Sequence, residues 1–137
     1  MLEQDRIPIL KIEDFLVASI QVALHDQLAM QFQTDLLNKI TMTKAKGLII
    51  DITAIDVVDS FITRILVEIA SMANLMGSDT VLVGMQPEVA ITLAEFGMEL
   101  TGIDTALNLE QGLVLLRNSA ERNVGDGCQK GAHQRRV

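Results

Sequence analysis

The chain has 137 residues, 49% of them hydrophobic and only 3% aromatic, with no Trp or Tyr and a formal net charge of −7. That is ample apolar material for one domain with a single core, yet no apolar run approaches the roughly 18 residues of a membrane span, and an acidic chain without stacking platforms lacks the footprint of a nucleic-acid binder. One cysteine cannot close an internal disulfide, and Met1 to Lys11 lacks the basic-then-apolar pattern of a secretion signal, so a cytoplasmic location is expected.

Ile7-Pro8-Ile9-Leu10-Lys11-Ile12 and Phe15 to Gln21 are short apolar runs separated by Glu13-Asp14. They predict two antiparallel strands with a tight connection, the first at a sheet edge because Pro8 has no N–H to donate. From Asp26, expected as the N-cap, Leu28, Phe32, Leu36 and Ile40 recur every four residues, and Leu37 widens the stripe. This is the pattern of a helix buried along one face, ending before Gly47. Leu48 to Ile52 predicts a buried strand, and Ile62, Ile65, Leu66, Ile69, Ala73 and Met76 return to helical spacing, with Gly77 as the natural stop.

Thr80 to Gly84 predicts another buried strand, and Pro87 suits the first position of a short helix through Val89, Ala90, Leu93 and Phe96 that Gly97 ends. Ile103 to Leu107 leaves room for one short strand. Asn108 with Gln111 three residues on resembles a capping box, opening a last helix through Leu109, Leu113 and Leu116. The order is ββαβαβα(β)α, and right-handed crossovers make the later strands parallel with helices over the sheet. The expected class is α/β: a mixed, mostly parallel sheet of four to five strands with about four helices.

Residues 121–137 contain a stretch with three glycines and no apolar periodicity, so a domain of residues 1–120 is expected to end in a flexible tail. The tail holds four basic and two acidic residues, leaving seven basic and 16 acidic ones in residues 1–120. The domain is therefore at −9 and the tail at +2.

The inventory does not assemble an enzyme. Cys128 and His133 share the expected tail, where nothing holds a thiolate against an imidazole. His25 has no Cys or His beside it for a zinc set and reads as a solvated or capping histidine. A phosphate-binding Gly-rich loop is absent from the sequence. Asp51, Asp56 and Asp59 form one acidic cluster, and such carboxylates can hold magnesium or accept phosphate as in a receiver domain. A receiver also needs a lysine after a late strand, and none lies between Lys46 and Lys130. No metal or cofactor is expected.

The pair Asp59-Ser60 places a hydroxyl where a strand and turn give way to a helix. The first-turn N–H groups and the helix dipole stabilise an anion there, whereas Asp51, Asp56 and Asp59 oppose one. Capping and first-turn structure are the commoner roles for a serine so placed, and a regulated phosphate is the sharper one.

The strand ending near Asp51, the turn Thr53-Ala54-Ile55-Asp56-Val57-Val58 and the Asp59-Ser60 helix start together resemble the STAS family, the anti-sigma-factor antagonists, and within it the stressosome scaffold subgroup. Ile7-Pro8-Ile9-Leu10-Lys11, Phe32-Gln33-Thr34-Asp35-Leu36-Leu37-Asn38-Lys39-Ile40, Asp59-Ser60-Phe61-Ile62 and Leu109-Glu110-Gln111-Gly112-Leu113 carry the match, which runs in order across residues 5–118. The resemblance implies a STAS fold and a non-catalytic scaffold that associates with itself and with RsbR-type STAS paralogues in a large assembly. It also implies sequestration of an RsbT-type serine kinase, released when that kinase phosphorylates Ser60, with Asp59 as the acidic residue before the acceptor. Phe61 and Ile62 depart from the small residue or Gly that follows the serine in many STAS antagonists and fit the scaffold subgroup.

On this reading Ser60, Phe61 and Arg64 face the kinase from the first turn of the helix, and Asp56 and Asp59 support the phosphosite. The alternative is a STAS-type regulatory module that binds a nucleotide or small anion at the same helix start and Asp51.

Overall fold

The structure is a computed structural model that describes residues 7–21, 24–56, 59–95 and 103–126, with side chains given as far as Ser119. Five strands and four helices follow one another as β1 (Ile9–Ile12), β2 (Phe15–Ser19), α1 (Asp26–Thr43), β3 (Gly47–Asp51), α2 (Ser60–Leu75), β4 (Asp79–Val83), α3 (Pro87–Glu95), β5 (Ile103–Ala106) and α4 (Leu109–Asp126). The strands lie in the sheet in chain order, β1-β2-β3-β4-β5. β1 is antiparallel to β2, with Ile12 opposite Phe15 across the Glu13-Asp14 turn, and the β2-β3, β3-β4 and β4-β5 pairs are parallel. This is the mixed α/β sheet expected from the pattern of the sequence.

Each right-handed crossover moves one strand further in the same direction, which places the three crossover helices on one face. The larger core accordingly joins Leu28, Phe32, Leu36 and Ile40 of α1, Ile62, Ile65, Leu66 and Ile69 of α2 and Val89 and Leu93 of α3 to Leu16, Leu48, Ile50 and Leu82 of the sheet. The opposite face carries Phe15, Val17, Ile49, Val81 and Val83, packed against Leu116, Leu113 and Leu109 of α4. Alternate residues of β3 therefore feed different cores, which is why the strand reads as an unbroken apolar run. Gly112 lets α4 lie close on the sheet, because a Cβ there would sit 2.9 Å from the Val83 side chain.

Two boundaries differ from expectation. The N-cap of α1 is His25 in place of Asp26: His25 is extended, and its Nδ1 accepts the Leu28 N–H at 3.3 Å. Asp26 instead occupies the first turn, where a carboxylate suits the positive end of the helix. At the other end α1 stops at Thr43 because Lys44 turns left-handed (φ 55°) and returns its N–H to Ile40. A non-glycine cap of this kind gives little warning in a sequence. Finally, α4 continues six residues beyond Ala120 to Asp126, so the expected domain boundary falls inside a helix. Absence of apolar periodicity does not stop a helix, and Glu121 and Arg122 are good helix formers. The remainder of the tail reading, with Cys128 and His133, lies outside the described residues, as do Phe96 and Gly97.

The Glu13-Asp14 turn is tied to the far end of the chain. Arg117 of α4 donates from Nε and Nη2 to the two Glu13 carboxylate oxygens at 3.0 and 2.7 Å. This charge-assisted pair holds the Glu13 carboxyl below its ordinary pKa and raises that of Arg117. A depressed carboxylate pKa gives a contribution to stability that is present above the unfolded-state value and lost as pH falls through the folded one. Both groups are exposed, so the effect is small and screened by salt.

Two outcomes are expected. Arg117→Ala should show a slight deficit in urea midpoint near pH ~7 that shrinks as pH falls through the lowered Glu13 titration. Gly112→Val should lower stability by about 1–3 kcal/mol in urea titrations although it removes a helical glycine, because the added methyls overpack the α4 face of the sheet.

Candidate functional site

β3 ends in a carboxylate that folds the chain back on itself. Asp51 Oδ1 accepts from the backbone N–H of Thr53 at 2.9 Å and from its hydroxyl at 2.6 Å. The next backbone positions stay attached to the sheet, with Ile52 N–H donating to Val83 O at 3.0 Å and Ile55 N–H turning back to Ile52 O at 3.0 Å. Ile55 then packs at the margin of the larger core. Across the loop, Gln86 Nε2 donates to Thr53 O at 2.5 Å. Gly84 lies beside this group with φ +77°, and a Cβ there would run into the Thr53 hydroxyl. Glycine is thus required twice, for its backbone conformation and for the space it leaves.

The chain re-enters helix at Asp59. Its backbone is extended, and its Oδ1 accepts the Ile62 N–H at 3.0 Å. Its carbonyl receives Thr63 N–H at 3.1 Å and the Thr63 hydroxyl at 3.0 Å. Asp59 is therefore the N-cap of α2, and Ser60 is the first helical residue. Ile62 and Thr63 are buried, which anchors the first turn, while Ser60 is exposed. No hydrogen bond to a described residue engages the Ser60 hydroxyl.

Of the residues picked out from the sequence, Asp56, Asp59, Ser60 and Arg64 are exposed. Ser60 and Arg64 are four positions apart and share a helix face. Phe61 differs from expectation: it is half-buried and packs against the larger core, so it supports the first turn as well as bordering the surface. Asp51, Asp56 and Asp59 are not gathered for a metal, since no group of three or more His, Cys, Asp or Glu among the described residues could hold one. Asp51 is turned to Thr53 and Asp59 to its own helix.

Thr53, Gly84 and Gln86 belong to the site but were not singled out from the sequence as its residues. Asp51-Ile52-Thr53 carries a local signal, because an aspartate commonly bonds the backbone two residues on. Gln86 carries none, being 33 positions from its partner.

Comparison with known proteins places this arrangement. The STAS domain description matches residues 6–112. A solved structure of a serine-to-glutamate variant of Moorella thermoacetica RsbS is 51% identical, covering 85% of this chain and 98% of that one at a TM-score of 0.75. A chain from a structure of the stressosome, described as a signal integration and transduction hub, is 53% identical over 82% of this chain and 98% of its own length, with a TM-score of 0.72. The RsbT co-antagonist protein RsbRA of Bacillus subtilis is 26% identical over 96 residues, and this chain spans 35% of its length. Among the described residues no helix is long and apolar enough to cross a membrane. With the family description matched over most of the chain and a similar RsbS structure superposing on the same five-stranded sheet, the chain belongs to the STAS domain family.

Proposed function

We propose that this chain is a non-catalytic, cytoplasmic stressosome scaffold and kinase antagonist that sequesters an RsbT-type serine kinase and releases it when Ser60 is phosphorylated. The observation that carries this reading is the exposed Ser60 hydroxyl on the first turn of α2, bonded to no described residue, in a chain about half identical to an RsbS protein over nearly all of that protein's length. RsbR-type STAS paralogues are the proposed co-assemblers, from the similarity to RsbRA and to a stressosome chain. For self-association the candidate surface is the β1 side, where Leu10 and Met42 are exposed.

The physical case rests on charge. The N–H groups at the start of α2 welcome an anion, so a phosphate on Ser60 is compatible with the helix. It adds close to two negative charges to a surface that already presents Asp56 and Asp59 and to a domain at −9. A kinase docked over Ser60 and Arg64 must accommodate that charge or dissociate. No refolding is needed, because the helix is capped by Asp59 and not by Ser60.

Mass mapping after treatment with the cognate kinase and ATP-Mg should put phosphate on Ser60. Other serines are poorly placed: Ser78 is buried and donates to Ala45 O, Ser119 donates to Asp79, and Ser19 accepts from Gln21. Phosphate chiefly on Ser71, which is exposed on the same helix, would remove the assignment. Tight binding of labelled nucleotide without any kinase would favour the nucleotide- or anion-binding module instead.

Ser60→Ala should fold normally and hold the kinase without release, whereas Ser60→Asp should weaken binding by about tenfold or more, the scale of a like charge set into an interface. Equal affinities by titration calorimetry would rule out electrostatic release. Asp59→Ala should lose about 1 kcal/mol of stability with the cap and slow Ser60 phosphorylation; an unchanged rate would leave Asp59 with the cap alone.

A further inference from the structure

The loop leading to Ser60 is held by more bonds than its burial requires. Thr53 is exposed, so water could satisfy its polar groups. Instead all three are taken by protein: Asp51 Oδ1 receives its N–H and its hydroxyl, and Gln86 donates to its carbonyl. Hydrogen bonds in a solvated position add little stability. What they fix is direction.

Gln86 also belongs to a second element. Its backbone carbonyl receives two first-turn N–H groups of α3, from Val89 at 3.0 Å and Ala90 at 3.1 Å. One residue thus starts α3 with its main chain and grips the β3–α2 loop with its side chain. Gly84, two residues earlier, is shaped to admit the Thr53 hydroxyl. From Thr53 the chain reaches Ser60 in seven residues, pinned on the way by Ile55 and ended by the Asp59 cap.

We propose that Gln86 is a positioning residue for the phosphoacceptor: by tethering Thr53 to the start of α3 it sets how the loop and the Ser60 hydroxyl are presented to the kinase. This rests on Ser60 being the acceptor. The tether makes the start of α3 part of the phosphorylation surface, and it acts in the free protein before any kinase arrives.

Gln86→Glu keeps the size of the side chain, removes the N–H donor and sets a carboxylate against the Thr53 carbonyl. A carboxylate beside the first turn of α3 is favourable to that helix, so the fold should be retained. Gln86→Lys keeps a donor. Steady-state phosphorylation of the full chain by the cognate kinase should show kcat reduced between about 10- and 100-fold in Q86E with KM within about threefold of wild type, the signature of a misplaced reacting group. Q86K should recover most of kcat. Amide exchange at Thr53 and Ile55, measured without kinase, should quicken by about tenfold in Q86E and not in Q86K.

Unchanged kcat in Q86E would overturn the proposal, as would an equal loss in Q86K, which points to shape and not to the donor. A rise in KM with kcat intact would also overturn it, making Gln86 a kinase contact. If wild type is phosphorylated elsewhere than on Ser60, the proposed function fails and the tether's role in it fails too; a failure confined to Q86E leaves that function standing.

Discussion

The parallel register of β2, β3 and β4 is the constraint on which the rest of the structure depends. β3 pairs on both edges and is covered on both faces, with Leu48 and Ile50 buried under the crossover helices and Ile49 under α4. A parallel strand so placed cannot be reached by a hairpin, so the chain must return over the sheet each time. The helices that make those returns all begin at the carboxyl ends of the strands. That end is where α2 starts, and so it is where Ser60 lies.

This geometry separates the packing from the surface that the proposed phosphorylation would use. The buried face of α2, from Ile62 to Ala73, holds the helix on the sheet, while its first residue contributes nothing to the core. The phosphate proposed for Ser60 would therefore not touch the packing. Burial of Ile62 and Thr63 directly behind it keeps the helix start from fraying. Phe61 bridges the two roles, half in the core and half at the surface.

The acidic residues around the site do different work from one another. Asp59 satisfies a helix N–H, Asp51 folds the loop and Asp56 is exposed. Two of the three carboxylates, Asp51 and Asp59, are thus spent on local hydrogen bonding. What remains for a partner is the exposed group of Asp56, Ser60 and Arg64.

The order of elements was legible in the sequence, because burial along one face imposes period 3.6 on helices, plain in Phe32–Ile40 and Ile62–Ala73, and burial on both faces makes a central strand a short apolar run, as in Leu48–Ile50. Asp59-Ser60 was legible as a helix start for the same reason, since capping is read by residues within one turn. The Asn108 half of the expected capping box was legible too, with Gln111 N–H donating to Asn108 Oδ1 at 2.9 Å, while the Gln111 side chain accepts from the Leu107 N–H in place of that of Asn108. His25 was read as a solvated or capping residue, and it caps α1; the left-handed Lys44 cap and the run of α4 to Asp126 were not legible, because each turns on a backbone choice that neighbouring residues allow without dictating. The Glu13–Arg117 pair and the Gln86–Thr53 tether lay further out of reach, at separations of 104 and 33 residues. Local sequence fixes which segments bury which side chains; only the closed sheet decides which distant polar groups meet, because their encounter depends on the path of every crossover between them.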